Sequence, residues 1–420
     1  MNAASGKPVL VIGGGIAGLT AAVELADAGC GVILVEKSAS LGGRVARMHQ
    51  YFPKLCPPAC GLEMHYRRLR NNAAITVLTL AEVTGVTDSP GGYEATVCIH
   101  PRFVTDACTL CGECAAACPA ERPDEFNDGL AKTKAAYLPH GMAYPAWYAI
   151  DRAACPVCNA CEAVCPADAI RLAAQPEVRK YDVSAIVAAT GWRPYDATRL
   201  EHLGFGKCPN VVTNVMLERM AASDGPAAGR ILRPSDGKEP RTVAFVQCAG
   251  SRDENHLPYC SAACCAASIK HAAYIRALYP ETAITIFYID IRTPGRLEEF
   301  YAQVNRDANL RLIKGKVARV EQNPATGDLL VTAEDALSAR KSTMQFELVV
   351  LATGMVPQTD ALPAALRRDE FGFLAANGTD GFYAAGCVHR PSEVSVAVRD
   401  ATGVALKALQ CARRSARHAQ

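Results

Sequence analysis

Nineteen of the 420 residues are cysteine, and many stand at spacings that suit metal ligation better than disulfide pairing. Two runs repeat one pattern: Cys108, Cys111, Cys114, Cys118 and Pro119, then Cys155, Cys158, Cys161, Cys165 and Pro166. Three thiolates three residues apart lie on one tight turn and can cap three irons of a cube, while the fourth, ahead of a proline, reaches a second cube. The spacing predicts two 4Fe–4S clusters, one on Cys108, Cys111, Cys114 and Cys165, the other on Cys155, Cys158, Cys161 and Cys118. Each fourth cysteine is expected to begin a short helix. Zinc is the competing reading, but a tetrahedral zinc site needs neither four cysteines in one run nor the proline behind them. Residues 119–154, a stretch of 36, separate the runs and form a long loop with Trp147 and several tyrosines.

A second cysteine group follows at Cys248, Cys260, Cys264 and Cys265, the first ending a strand-like stretch and the others opening a helix-like one. Adjacent cysteines rarely share a core by chance, yet free cysteine is among the most buried residue types. These residues alone leave a third cluster and a structural group about level. Cys56 and Cys60 flank Pro57-Pro58-Ala59. They read as a redox pair, a partner contact, or a rigid proline turn.

Glycines mark the third kind of chemistry. Val9–Ile12 reads as a buried strand, followed by Gly13-Gly14-Gly15-Ile16-Ala17-Gly18, an amphipathic helix to about residue 28, and a second strand ending near Glu36. Gly13 permits the turn, Gly15 lets the backbone approach a pyrophosphate, and Gly18 packs the helix on the strand. The helix N-terminus then offers free N–H groups to phosphate, and Glu36 stands where an acid takes ribose hydroxyls.

The elements that carry these residues fall into an interrupted α/β chain. Strand-like sequence at 183–191 and again at 346–354 ends each time in Ala-Thr-Gly, an internal repeat of two nucleotide folds. The expected divisions are 1–98, 173–238 and 356–420 for one dinucleotide fold, 99–172 for a cysteine-rich insertion, and 239–355 for a second fold. That second fold lacks a glycine fingerprint: Cys248-Ala249-Gly250-Ser251-Arg252 follows its first strand, so nicotinamide binding is not expected there. Half the residues are hydrophobic and the formal charge is +2, which argues against nucleic acid as a partner. Only Arg413, Arg414 and Arg417 make a basic segment. No apolar run approaches the ~20 residues of a membrane span. From Met1 to Pro8 there is no signal-like segment, so a cytoplasmic protein with reduced, metal-binding cysteines is expected.

Leu41-Gly42-Gly43-Arg44 and the paired Ala-Thr-Gly segments resemble two-dinucleotide-domain flavoproteins of the thioredoxin-reductase type. The resemblance implies FAD held by Gly13, Gly15, Ala17, Gly18, Glu36, Lys37, Gly43, Arg44, Thr190, Gly191, Gly354, Gly386 and Cys387. Cys387 stands where that family places an aspartate on the ribityl chain. The fold class expected is thus α/β, two dinucleotide-binding domains with an inserted two-cluster ferredoxin domain. Gln247–Asp253 leading into Tyr259-Cys260-Ser261-Ala262-Ala263-Cys264-Cys265, together with Ala385-Gly386-Cys387, resembles the A-subunit family of heterodisulfide reductase. In that family the cysteines matching Cys248, Cys260, Cys264 and Cys265 hold an irregular 4Fe–4S cluster near the flavin, which favours a third cluster. The block from Phe52 to Glu63 is similar to the paralogue of the quinone-interacting membrane-bound oxidoreductase, and the chain's length agrees with it. The partners this implies are adenylylsulfate reductase, a membrane quinone-binding subunit, and a sister flavin/iron–sulfur subunit. It also implies electron exchange with the quinone pool in sulfur metabolism, with the chain held peripherally at the membrane through those partners. The alternatives are a soluble heterodisulfide-reductase-type subunit with flavin-based bifurcation, a non-catalytic assembly platform, and a self-contained NAD(P)H oxidoreductase.

Overall fold

The computed structural model describes residues 6–52, 54–360, 362–363, 366–375 and 381–418, with backbone alone at 416–418. Met1–Ser5, Pro53 of the Phe52–Glu63 block and the Arg417 side chain lie outside the described residues.

Strands whose residues are apolar without interruption are buried on both faces and form parallel sheets. Val9–Ile12 is the type case, with all four residues buried. It sits at the centre of a five-stranded parallel sheet in the order Phe382–Ala384, Ala185–Ala188, Val9–Ile12, Val32–Glu36, Ile75–Thr79. A second parallel sheet runs Val211–Thr213, Leu348–Thr353, Thr242–Ala249, Ala283–Tyr288, Leu310–Lys314. Beside each lies a three-stranded antiparallel sheet, Ala81–Ser89, Gly92–Ile99 and Glu177–Val183 in one case, Val317–Gln322, Leu329–Asp335 and Arg340–Phe346 in the other.

The internal repeat has a structural meaning. In both halves the last antiparallel strand passes directly into a core parallel strand and then into a short strand, Trp192–Pro194 or Met355–Pro357, and these two pair with one another. The single strand expected over Val183–Ala189 is therefore two. The chain turns at Ser184, whose N–H donates to the Pro8 carbonyl at 2.9 Å, and the strands on either side join different sheets.

The insertion carries two small ribbons and two short helices, Glu113–Ala116 and Ala160–Val164. Its core is slight: Phe103, Val104, Ala135, Ala136, Ile150, Ala169, Ile170 and Leu172, together with Cys114, Cys118 and Cys161. The short helices correct an expectation, because they hold the third cysteine of each run and end before the fourth. Pro119 and Pro166 are the reason: a residue ahead of proline is turned out of the helical region, and Cys165 is extended at φ −77°, ψ 108°. Similarly, the helix expected to open at Cys260 begins at Cys264. Ala262, in the left-handed region at φ 59°, interrupts it. Among the described residues no helix is long and apolar enough to cross a membrane.

Candidate redox-cofactor site

The glycine turn lies between Val9–Ile12 and the helix Ile16–Asp27, and the three fingerprint glycines differ in what surrounds them. A Cβ on Gly18 would fall 1.8 Å from the Gly13 carbonyl oxygen, and one on Gly13 would fall 2.4 Å from that of Ala189. At Gly15 the nearest atom would be the Gly43 Cα at 3.9 Å. Gly13 and Gly18 serve packing, whereas Gly15 faces open space. Gly15 is also the N-cap of the helix and brings no side chain to it, so the first-turn N–H groups stay available to a phosphate.

That space belongs to a cavity of about 810 Å³, within the range of sites that enclose a ligand. Gly13, Gly15, Ala17, Glu36, Lys37, Gly43, Arg44, Thr190, Gly191 and Cys387 line it. The Glu36 carboxylate accepts from the Gly14 N–H at 2.5 Å and from Ser38, N–H at 2.8 Å and hydroxyl at 2.6 Å. Lys37 touches the cavity but turns its ammonium outward to Glu82 at 3.1 Å. Arg44 pairs with Asp128 of the insertion at 3.5 Å and lies over the Trp192 ring, 4.9 Å from its centroid. The Cys387 thiol donates to the Ser392 carbonyl at 3.3 Å, and burial pushes its pKa up.

Gly18, Gly354 and Gly386 are not on the cavity wall. A Cβ on Gly354 would meet the Ser251 hydroxyl at 2.2 Å and that of Ser261 at 2.9 Å, so this glycine admits the 251–261 loop while Thr353 and Met355 face the cavity. Gly386 packs on Ala17, and its N–H donates to Asp400 at 2.7 Å.

Cys108, Cys111, Cys114 and Cys165 line one hollow with Tyr148, Val104 and Ile170. Three cysteines of the first run and the fourth of the second are thus brought together. Burial, followed by the neighbouring cysteines, pushes the Cys114 thiol up to about 11. Cys161 lies beside Cys155, and Cys118 shares their small core. Cys248, Cys260, Cys264 and Cys265 also stand within electrostatic reach of one another. Burial and then this crowding raise Cys248 to about 11 and Cys264 further. Among the described residues no three His, Cys, Asp or Glu side chains converge on a single-ion point. A zinc ion draws its thiolates to ~2.3 Å from one centre, whereas a cube carries irons at its corners and keeps its thiolates further apart. Cysteines grouped in this way, with Cys114, Cys118, Cys161 and Cys265 buried among them, fit a group larger than a single ion.

Two features of the site were missed from sequence. Segment 122–140 of the long loop forms part of the cavity wall through Arg122, Asp124, Phe126, Tyr137 and His140. Glu218, Lys270 and His271 line the same cavity as a buried polar cluster. Lys270 donates to Glu218 at 2.9 Å and to the Gln50 carbonyl at 2.6 Å, and His271 meets the other carboxylate oxygen at 2.5 Å. Burial alone would raise Glu218, but the Lys270 charge and the His271 contact outweigh it and hold the carboxyl well below its usual range. The available signal was Lys270-His271 inside a helix rich in alanine and isoleucine. Cys264, at the start of that helix, also lines the cavity. Cys56 and Cys60 lie near Tyr51, a wall residue, whose N–H donates to the Cys56 carbonyl at 3.0 Å.

Residues 11–68 match the model of an NAD(P)-binding Rossmann-like domain. The chain is 40% identical over 416 residues to a Methanopyrus kandleri protein, the second iron–sulfur A subunit of CoB–CoM heterodisulfide reductase, covering 95% of this chain and 63% of the relative. It is 37% identical to the A subunit of Methanothermobacter marburgensis H2:CoB–CoM heterodisulfide,ferredoxin reductase, again over 95% of this chain and 63% of the relative. The chain thus spans less than two thirds of the length of these relatives. Thioredoxin reductase from Lactococcus lactis superposes with a TM-score of 0.55 at 13% identity, covering 97% of this chain and 99% of that one. The T. acidophilum enzyme does so with 0.52 at 15%, covering 96% and 98%. These likenesses establish the two-dinucleotide-domain flavoprotein fold. Its relatives and its fold are those of oxidoreductases, and over nearly its whole length the chain is similar to A subunits of heterodisulfide reductase.

Proposed function

We propose that this chain is the flavin and iron–sulfur electron-transfer subunit of a heterodisulfide-reductase-type complex. One observation carries the reading: the cavity lined by the glycine turn at Gly13 and Gly15 is also lined by Cys264 of the second cysteine group. FAD, when bound, supplies the chemistry that links two-electron donors to one-electron carriers. The chain's part would be to hold the pyrophosphate at Gly15 and to keep Cys264 and the Lys270–Glu218 pair on the wall of the same cavity. The two cysteine runs would hold two further clusters that lead electrons to sister subunits.

A second, finer reading rests on the Phe52–Glu63 block, which is similar to the quinone-linked paralogue. In it the electrons pass between a quinone pool and adenylylsulfate reductase through two other subunits, one of them in the membrane.

The second nucleotide fold does not offer the space that the first does. A Cβ on Gly250 would lie 2.6 Å from the Tyr195 ring, whereas the corresponding approach at Gly15 is open. NADH and NADPH are therefore expected not to reduce the flavin, while a low-potential one-electron donor should bleach it through the clusters. Anaerobic stopped-flow absorbance at the flavin maximum tests this. Fast bleaching by a nicotinamide alone would overturn the reading.

A further inference from the structure

Two guanidinium groups are directed at the cysteines of the second group. Arg252 follows Cys248 by four residues, and both sit in the left-handed region, at φ 56° and 57°. The surrounding loop holds them there: Arg252 N–H donates to the Tyr259 carbonyl and Ser251 N–H to that of Cys248, both at 3.1 Å. The Arg252 side chain bonds one oxygen of Asp290, and its charge acts on the Cys248 sulfur. Arg292 donates through Nε and Nη2 to the other oxygen at 3.3 and 3.2 Å and faces the Cys260 sulfur. The Cys265 thiol, finally, donates to the Asp290 carbonyl at 3.6 Å. One carboxylate thus clamps two cations against a set of sulfurs, and one net positive charge remains beside them. Ion pairs with this much exposure contribute little to stability, so the fold alone does not account for the arrangement.

We propose that Arg252 and Arg292, clamped by Asp290, are positioning residues that raise the reduction potential of a cluster held by Cys248, Cys260, Cys264 and Cys265. The inference rests on the third cluster of the proposed function. One-electron reduction adds a negative charge to the cluster and its sulfurs. A fixed guanidinium charge close to the sulfurs favours that form, and charge and hydrogen bonds at the sulfurs are what tune such centres. A cluster held there would then be the better one-electron acceptor.

The test uses the full chain with its sister subunits, as wild type, Arg252→Gln, Arg292→Gln and Arg252→Lys. Iron is counted, and each cluster is titrated anaerobically by electron paramagnetic resonance. The expected result is unchanged iron, unchanged midpoints for the clusters of the two runs, and a shift of the third midpoint to more negative potential in both glutamine variants. The shift should be larger for Arg252, whose side chain is 24% exposed, than for Arg292 at 49%, because solvent screens the more exposed charge. Arg252→Lys, which keeps the charge, should retain most of the wild-type value. A third midpoint that stays put in Arg292→Gln, with iron intact, overturns the proposal, and this holds even if Arg252→Gln loses its cluster. A wild-type protein with only about eight irons, the content of two cubes, and no third signal overturns the cysteine set itself, a separate failure.

Discussion

Gly15 and Gly18 stand three residues apart and are glycine for different reasons. At Gly18 the helix lies so close to Gly13 that an added Cβ would fall 1.8 Å from a backbone oxygen, and backbone cannot give way as a flexible side chain can. At Gly15 φ is −75° and nothing lies within 3.9 Å, so a larger residue fits the fold and fills only the cavity. Gly15→Val is accordingly expected to fold with a near-wild-type melting temperature and to purify without flavin. Gly18→Val should lose stability by the several kcal/mol typical of overpacking at its upper end. Absorbance at the flavin maximum and thermal melts of the two variants separate the roles. Full flavin content in folded Gly15→Val would remove the phosphate assignment. Lys270, by contrast, is a residue whose role no motif announces. It is 4% exposed and paired, and a buried pair of this kind is strongly destabilised by removing one partner.

Among the elements, the loop between the cysteine runs is the one whose placement changes the picture. It folds back as a cavity wall: Leu41 N–H donates to the Tyr144 carbonyl at 2.8 Å, and His140 stacks on Phe126 with ring centroids 4.7 Å apart. Burial lowers the His140 pKa from 6.5 to about 4, so the folded state resists its protonation. The unfolded chain binds the proton more readily in this interval. Stability from this site is therefore whole above about pH 6.5 and is lost progressively as pH falls toward 4, by at most ~3.5 kcal/mol at ~1.4 kcal/mol per unit. Melting temperature should fall between about pH 7 and 4.5, and less steeply in His140→Gln, which cannot titrate. Equal slopes in the two proteins would show that His140 does not govern the loop.

At the scale of the molecule, three sections meet on one fully buried guanidinium. Arg219 donates to Asn127 of the insertion at 2.9 Å, to the Arg47 carbonyl at 3.1 Å and to Asp224 at 3.0 Å. The insertion is consequently no appendage, yet its own core consists of a few small residues and cysteines. With so little apolar burial, the insertion would depend for its folding on the clusters proposed for its cysteine runs. Removing iron anaerobically with a chelator should unfold the insertion, and with it the cavity wall at 122–140. Flavin release should then follow iron loss, while the circular dichroism of the two parallel sheets persists. Retention of FAD by an iron-free protein would show that the wall stands without its clusters.

The glycine turn, the two cysteine runs and the repeated Ala-Thr-Gly strands were legible from sequence because each is local: a few neighbouring residues determine the backbone path and the atoms presented. Helix ends at Cys118 and Cys165 were misplaced although the signal, a following proline, was present in the run itself. What tertiary structure alone decided are meetings across long separations. Segment 122–140 became a wall of the cavity, Gly354 turned to the 251–261 loop rather than the cavity, and Glu218 found Lys270. Each depends on how sheets and loops pack in space, and packing depends on all the buried surfaces at once. No spacing rule encodes it, because residues 52 positions apart, as Glu218 and Lys270 are, share no local geometry until the core is formed.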